Sequence, residues 1–258
     1  MKSEYLKLNK PGCIQFVGSA VSETFTKEIQ ESFAGVMEKN YYYDDENIGF
    51  ISASVDGRAW EKTMWTRDAG VFLRELVHWG YTGSAFLTAR RLIRLCARNP
   101  EGFYTFPERF EPGKPDFGKE IDGTSAILVG FSMLARRLMQ IGTDLAMEML
   151  EELLAFVNAV ESPLAFFIKE TEEKRLLPGT GEFGGGMFVE GEYCNVVQNM
   201  LAVNALVGWE KAYEEFGDTA RAEQVRMAAG RLESNVRKYL VKKQRIYMVC
   251  GARTIIAS

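Results

Sequence analysis

Apolar residues recur every three or four positions in seven segments of the chain, and none of these segments shows the sustained two-residue alternation of a half-buried strand. Six stripes are Phe25/Ile29/Phe33/Val36, Phe72/Leu76/Trp79, Ile127/Phe131/Leu134/Leu138, Met149/Leu153/Val157/Val160, Val196/Met200/Val203/Val207 and Val225/Ala229/Leu232/Val236, and a seventh helix is predicted over about Ser84–Arg98. The pattern predicts an all-α fold.

The connections between the predicted helices alternate in length. Three are short and contain glycine, at Gly80–Gly83, Ile141–Thr143 and Phe216–Asp218, where a left-handed glycine ends one helix and Thr or Asp caps the next. The others are long, at roughly Asn40–Arg67 and Asn99–Ile121 and over about Glu161–Gly191. The chain thus repeats one unit three times: a long loop, a helix, a glycine turn and a second helix. This repeat predicts a toroid of helical hairpins with the long loops at one end.

Composition favours one domain and excludes several function classes. With 258 residues, 47% of them hydrophobic, the chain can bury one full core, so we expect a single domain over residues 1–258. The net charge of −4 gives no general attraction for nucleic acid or an anionic membrane surface. No apolar run reaches the ~18 residues of a membrane span, and the N-terminus is polar, so a cytoplasmic protein is expected.

Cysteine and histidine usage narrows the chemistry further. The four cysteines are scattered and only one histidine, His78, is present, so we expect no metal site and no cofactor. His78 lies in an apolar-periodic run and is interpreted as a packed or surface residue. Catalysis that depends on an imidazole is therefore disfavoured, and any acid–base chemistry must use carboxylates.

Acidic residues stand at the predicted start of each helix that follows a long loop. They are Asp68, Asp122 and the pair Glu190 and Glu192. Taken singly, each is explained by helix capping, and Asp122, which precedes Gly-Thr-Ser, fits a cap better than a catalyst. Taken together, they predict a shared carboxylate-lined site, and glycosyl transfer to water requires two carboxyl groups.

Aromatic residues are concentrated in the long loops. The first loop carries Tyr41, Tyr42, Tyr43, Phe50, Trp60 and Trp65, the second Phe103, Tyr104, Phe106, Phe110 and Phe117, and the third Phe166, Phe167, Phe183 and Phe188. Ring faces that pack on sugar C–H groups would suit a saccharide cleft. Small cores that pin the loops explain the same clustering equally well, and both interpretations stay open.

Three segments resemble six-hairpin glycoside hydrolases of the glucoamylase type. Met64-Trp-Thr-Arg-Asp68, with Trp60 upstream, is similar to the Trp-x-Arg-Asp segment of that family. Phe117-Gly-Lys-Glu-Ile-Asp122-Gly-Thr resembles its Asp-Gly segment. The stretch from Gly184 through Glu190-Gly-Glu-Tyr-Cys-Asn195 is similar to the loop that carries its general acid, although the family has Trp before adjacent glutamates.

The resemblance implies an inverting hydrolase of α-linked glycosides or oligosaccharides, with a carbohydrate as its ligand. Arg67 and Asp68 would bind sugar hydroxyls, and Trp65 and Trp60 would line the subsite. Glu190 or Glu192 would be the general acid, with Asp122 as a second candidate.

The family closes twelve helices into a ring, whereas this chain predicts about seven and ends in a tail without helical period, over about 241–258. An incomplete toroid lacking the general base is therefore expected, which leaves enzymatic activity open. The alternatives are a noncatalytic partial toroid that binds carbohydrate or a partner, and a helical-repeat interaction protein. Open toroid edges would favour a homo-oligomer.

Overall fold

The computed structural model describes residues 2–11, 23–41, 49–52, 63–99, 102–111, 114–116, 121–179, 186–242, 245–250 and 253–256. Within these ranges the chain forms nine α-helices: α1 (Lys2–Leu6), α2 (Glu23–Asn40), α3 (Thr66–His78), α4 (Thr82–Leu95), α5 (Asp122–Ile141), α6 (Asp144–Val157), α7 (Pro163–Glu173), α8 (Val196–Phe216) and α9 (Thr219–Asn235). A π-helical turn, Val236–Leu240, follows α9. The prediction of an all-α fold is confirmed.

Short strands lie in the connections between the helices. They are β1 (Met64–Trp65), β2 (Ala97–Arg98), β3 (Tyr104–Thr105), β4 (Arg109–Glu111), β5 (Lys114–Asp116), β6 (Gly186–Val189), β7 (Glu192–Asn195), β8 (Val241–Lys242), β9 (Arg245–Cys250) and β10 (Arg253–Ile256). They pair antiparallel as β1-β4-β5, β2-β3, β6-β7 and β8-β9-β10. The expectation of an irregular tail was wrong, because β8, β9 and β10 form a meander there.

Helices α3, α5 and α8 pack side by side and form an inner layer. Gly70 of α3 faces Ala126 and Ile127 of α5, and Gly130 farther along α5 faces Leu73 of α3, so the two helices run parallel. Ser132 of α5 lies against Gly208 of α8, and α5 and α8 also run parallel, because Arg136 later in α5 pairs with Glu215 later in α8. The N-terminal ends of α3 and α5 therefore lie together.

Helices α4, α6, α7 and α9 cover the inner layer from outside. Arg90 of α4 pairs with Glu152 of α6, and Arg231 of α9 pairs with Glu172 of α7. Helix α2 packs on the far end of α3, where Phe33 stacks on Trp79 with ring centroids 5.4 Å apart. The two layers match the predicted helical hairpins, and their closure into a toroid stays a prediction.

Two of the three predicted glycine turns form as expected, whereas in the turn before α4 Gly80 is left-handed but the N-cap is Tyr81, which makes no side-chain cap hydrogen bond. Gly142 and Gly217 adopt left-handed conformations at the C-caps of α5 and α8. Thr143 then caps α6 by accepting a hydrogen bond from the Ala146 amide, and Asp218 caps α9 in the same way. These short caps reverse the chain sharply, so each outer helix returns along its inner partner.

Several predicted boundaries were wrong. Helix α7 occupies residues that we expected to belong to a long loop, and α6 ends at Val157, which leaves Val160 exposed in the connection to α7. Helix α4 covers Thr82–Leu95 rather than reaching Arg98, whose backbone pairs in β2. The described ranges also contain α1, which carries no apolar period.

Candidate functional site

An ion pair joins the N-terminal ends of α3 and α5. The Nη1 atom of Arg67 donates to Oδ2 of Asp122 at 3.3 Å, across 55 residues of sequence. The other oxygen of Asp122, Oδ1, accepts the Gly123 amide at 2.7 Å. Asp122 is therefore a buried carboxylate with both oxygens occupied, while a quarter of the Arg67 side chain is exposed to solvent. The arrangement fixes the direction in which Arg67 points.

Glycine at position 123 makes this close approach possible. A Cβ on Gly123 would lie 2.2 Å from Oγ1 of Thr66, the first residue of α3. Thr66 is held from the other side, because its amide and its hydroxyl both donate to the carbonyl of Glu108 at 3.0 Å. A side chain at position 123 would either displace the Thr66 hydroxyl from the Glu108 carbonyl or push the two helix ends apart.

Asp68 lies beside Arg67, and Trp65 precedes Arg67 by two residues at the end of β1. Oδ1 of Asp68 lies 3.6 Å from Nε of Arg67, and more than half of the Asp68 side chain is exposed. Trp65 pairs with Arg109 between β1 and β4, and the guanidinium of Arg109 lies 5.4 Å from the centre of the Trp65 ring. We call Trp65, Arg67, Asp68 and Asp122 the site cluster: Arg67 contacts both aspartates, and Trp65 lies two residues before it in the chain. The predicted residue Trp60 lies outside the described residues.

Asp122 does not cap α5 in the way we expected. The helix begins at Asp122 itself, and the N-cap residue is Ile121. The side chain of Asp122 accepts the amide of the next residue and the guanidinium of Arg67. Its negative charge still lies in the first turn, where it interacts favourably with the helix dipole.

The prediction that Glu190 and Glu192 begin a helix was wrong. Glu190 and Gly191 form the two-residue turn of the β6-β7 hairpin, with φ of +54° and +88°, which is typical of a type I′ turn. Helix α8 begins later, at Val196, and Asn195 caps it by accepting the amides of Val197 and Gln198. Asn before an apolar run is a capping signal that could have placed this boundary.

Both glutamates pair with cations that follow α7. Glu190 lies 2.9 Å from Nε of Arg175, and Glu192 lies 3.8 Å from Nζ of Lys174. Lys174 also pairs with the buried Glu170 at 2.8 Å. About half of the Glu190 and Glu192 side chains is exposed, so these two carboxylates form a second, solvent-facing charge cluster. The cationic half of this cluster was not predicted, although Lys174-Arg175 directly follows the acidic end of α7.

The aromatic residues of the predicted loops were expected either to line a saccharide cleft or to pack the loops in place. Tyr41, Phe106, Phe110, Phe166 and Phe167 are all buried at 9% exposure or less and belong to the main hydrophobic core, so these five have a structural role, and the last two lie in α7 rather than in a loop. Trp65 is half-buried with its ring beside Arg109, and Phe188 is exposed and packs edge-on against Tyr193. Among the loop aromatics that the structure describes, Trp65 belongs to the site cluster by its position two residues before Arg67.

The described residues contain neither a metal-binding cluster nor a membrane-spanning helix. Among the described residues, no group of three or more His, Cys, Asp or Glu side chains could hold a metal ion. In those residues there is also no helix with the length and hydrophobicity needed to span a bilayer.

No protein-family model matches the chain, and no curated protein matches it either.

Proposed function

We propose that this chain binds a carbohydrate at the N-terminal ends of α3 and α5 and acts as a glycoside hydrolase on α-linked glycosides or oligosaccharides. The observation that carries the proposal is the 3.3 Å ion pair between Arg67 and Asp122. It joins the two segments that resemble the Trp-x-Arg-Asp and Asp-Gly segments of six-hairpin glycosidases. Two motifs that are far apart in sequence thus contribute to one site.

The side chains of the site cluster suit a sugar. Arg67 offers planar N–H donors whose orientation is fixed by Asp122, and a fixed fork of donors can bind adjacent hydroxyl oxygens. The exposed carboxylate of Asp68 can accept hydrogen bonds from hydroxyl groups. Trp65, two residues before Arg67, supplies a half-buried aromatic surface. A few convergent polar groups next to an aromatic side chain are typical of small-ligand sites.

Hydrolysis needs a proton donor and a second carboxylate in addition to this clamp. For an inverting reaction the two groups stand ~6.5–9.5 Å apart, with water between the base and the sugar. We assign Asp122 to positioning Arg67, because it is buried and both of its oxygens are engaged. Glu190 and Glu192 are the candidate proton donors, and substrate would have to draw either one away from Arg175 or Lys174.

The pairing of both glutamates with cations favours a second candidate function, carbohydrate binding without turnover. In that case the clamp would bind sugar, and the hairpin charges would serve only to hold the β6-β7 hairpin against the end of α7. The two functions share the site cluster and differ in whether the glutamates take part.

Binding and turnover can be tested separately. We expect maltose or maltotriose to bind the purified chain in calorimetric titrations, and Arg67→Ala to weaken binding at least tenfold, since charge-assisted hydrogen bonds contribute ~1.5–3 kcal/mol each. The matched control is Arg90→Ala, which breaks an ion pair of similar exposure in the outer layer. Equal weakening by both variants, or no binding by the wild type, would contradict the carbohydrate site.

Turnover is tested with an aryl α-glucoside as the substrate. If the chain is a hydrolase, Glu190→Gln or Glu192→Gln should reduce kcat strongly while maltose still binds. Binding of maltose without release of the aryl group would support the noncatalytic alternative. Hydrolysis that both glutamine variants leave unchanged would contradict the assignment of the proton donor.

A further inference from the structure

A cavity lies between α3 and α5, at the opposite end of these helices from the site cluster. Its volume is about 270 Å³, and Val77, His78 and Gly80 line it from the α3 side and Met133, Arg136, Arg137 and Gln140 from α5. The site cluster is at the first residues of both helices, whereas this cavity is at the last turn of α3 and the last two turns of α5.

The polar lining of the cavity is made of donors and cationic side chains. Arg136 and Arg137 are half-buried, His78 lies on the exposed side of the last turn of α3, and Gln140 adds an amide. The acidic groups near the cavity are already engaged. Glu215 of α8 holds Arg136, with an Nε to Oε1 distance of 2.9 Å, and Glu75 of α3 pairs with Arg74.

Arg137 distinguishes this cavity from an ordinary surface groove. Arg136 has its carboxylate partner, but within the described ranges Arg137 has no ion pair. The Arg137 side chain lines the cavity, and its residue is only partly exposed, so the guanidinium can be reached by a ligand in the cavity. An anion in the cavity would supply a partner and could accept two parallel hydrogen bonds from the guanidinium.

The carbonyl groups at the C-terminal end of α3 are already hydrogen-bonded, so they do not repel an anion in the cavity as free carbonyl groups would. The carbonyls of Glu75, Leu76 and Val77 accept hydrogen bonds from the amides of Trp79, Tyr81 and Gly80. Gly80 adopts a φ of +80°, and a Cβ there would lie 2.2 Å from the Lys10 carbonyl oxygen, so the turn that closes the helix is tightly packed. The negative end of the helix dipole is thereby partly neutralised.

We propose that this cavity, the arginine pocket of His78, Arg136, Arg137 and Gln140, binds a small phosphate-bearing molecule. The Arg137 guanidinium is the main anion ligand, while the Gln140 amide and the His78 imidazole can each donate a hydrogen bond. The cavity is slightly smaller than the ~300–1,000 Å³ of drug-sized ligand sites, which suits a phosphate ion or a short phosphate ester. This site is independent of the carbohydrate site and does not rest on it.

The experiment is a calorimetric titration of the full chain with inorganic phosphate and with glycerol 3-phosphate, with sodium chloride at equal ionic strength as the blank. We expect saturable binding of at least one phosphate compound, which Arg137→Ala weakens tenfold or more because a charge-assisted contact is lost. Arg137→Lys should bind with intermediate affinity, since lysine keeps the charge but lacks the planar fork. The control is Arg94→Ala, an exposed arginine in the last turn of α4.

The titrations answer two questions: whether the site binds phosphate compounds, and whether it prefers the free ion or a phosphate ester. Tighter binding of glycerol 3-phosphate indicates a phosphate ester, and equal binding indicates the ion itself. Circular dichroism of Arg137→Ala and Arg137→Lys confirms that the variants fold. Absence of saturable binding by either compound, or binding that folded Arg137→Ala leaves within twofold of the wild type, would overturn the proposal. Equal weakening by Arg94→Ala would overturn it as well, because binding would then follow overall charge.

Discussion

Gly70→Ala is predicted to destabilise the protein by forcing α3 and α5 apart. A Cβ at position 70 would lie 2.5 Å from the carbonyl carbon of Ala126, 2.6 Å from the Ile127 amide nitrogen and 2.7 Å from the Ala126 Cβ. Carbon atoms in favourable contact are ~3.5–4.0 Å apart, so the shortfall is about 1 Å. The obstructing atoms belong to the backbone or to a Cβ, and no rotamer change can move them out of the way.

The expected loss of stability follows from two opposing effects. Alanine in a helix is more favourable than glycine by ~0.5–1 kcal/mol. Overpacking a close contact costs ~1–3 kcal/mol, and rigid backbone neighbours place this site at the upper end. The net loss is therefore about 2 kcal/mol, which lowers the Tm of a domain of this size by roughly 4–8 °C.

Urea denaturation followed by circular dichroism measures this change, and Gly230→Ala provides the matched control. Gly230 lies within α9 and has no atom within 4 Å of an added Cβ, so the same substitution should stabilise the protein by about 0.5–1 kcal/mol. If Gly70→Ala proves as stable as Gly230→Ala, α3 and α5 are not packed as closely as described. A separation of 1 Å would also lengthen the Arg67–Asp122 contact beyond hydrogen-bonding distance, so sugar binding should fall in Gly70→Ala.

Three further predictions concern single sites. In a double-mutant cycle, Arg67→Ala and Asp122→Ala should show a coupling free energy of ~1–3 kcal/mol, which is less than for a fully buried pair because Arg67 is partly exposed. Additive effects of the two substitutions in urea unfolding would refute this coupling. Glu190→Asn should raise the unfolding free energy by up to ~1 kcal/mol, since Asn-Gly suits a type I′ turn better than Glu-Gly, and a lower stability would argue against the left-handed turn. Burial raises the pKa of the Cys96 and Cys194 thiols to about 11. Because the thiolate is the reactive form, each thiol should be alkylated at pH 8 roughly a hundredfold more slowly than an ordinary exposed thiol. Peptide mass spectrometry measures this rate, and rapid labelling would contradict their burial.

The fold was predictable from sequence where helix periodicity and chain-reversal signals coincide. Gly142 and Gly217 end helices in the left-handed conformation that only glycine adopts at little cost, and Thr143 and Asp218 supply cap oxygens immediately afterwards. These signals are local, so the sequence contains all that is needed to interpret them.

Helix α7 was missed because it is buried on more than one side. Seven of its eleven residues are buried, and its apolar residues run consecutively over 163–168 instead of recurring every three or four positions, so the usual helical period is not seen. The available signal was at its start, where Ser162 caps the helix and Pro163 occupies its first position. An apolar stretch in a long connection is therefore ambiguous unless its capping residues are considered.

The two halves of the candidate site differed in how predictable they were. Arg67 and Asp122 meet because each occupies the first turn of a helix in the same layer, and sequence position alone indicates this. Glu190 was misplaced because a type I′ turn normally carries Asn or Gly at that position, and glutamate gives no turn signal. Its partner Arg175 is distant in sequence from the motif, and the pairing depends on how α7 ends against the hairpin.

The central claim, a carbohydrate site at the N-terminal ends of α3 and α5, is tested most directly by mapping backbone amide chemical shifts while maltose is added to isotope-labelled protein. We predict that saturable shifts concentrate at Trp65–Asp68 and at Ile121–Gly123, that Arg67→Ala removes them, and that Arg90→Ala retains them. Saturable shifts confined to other parts of the chain, or no shift at any amide with maltose in large excess, would contradict the account.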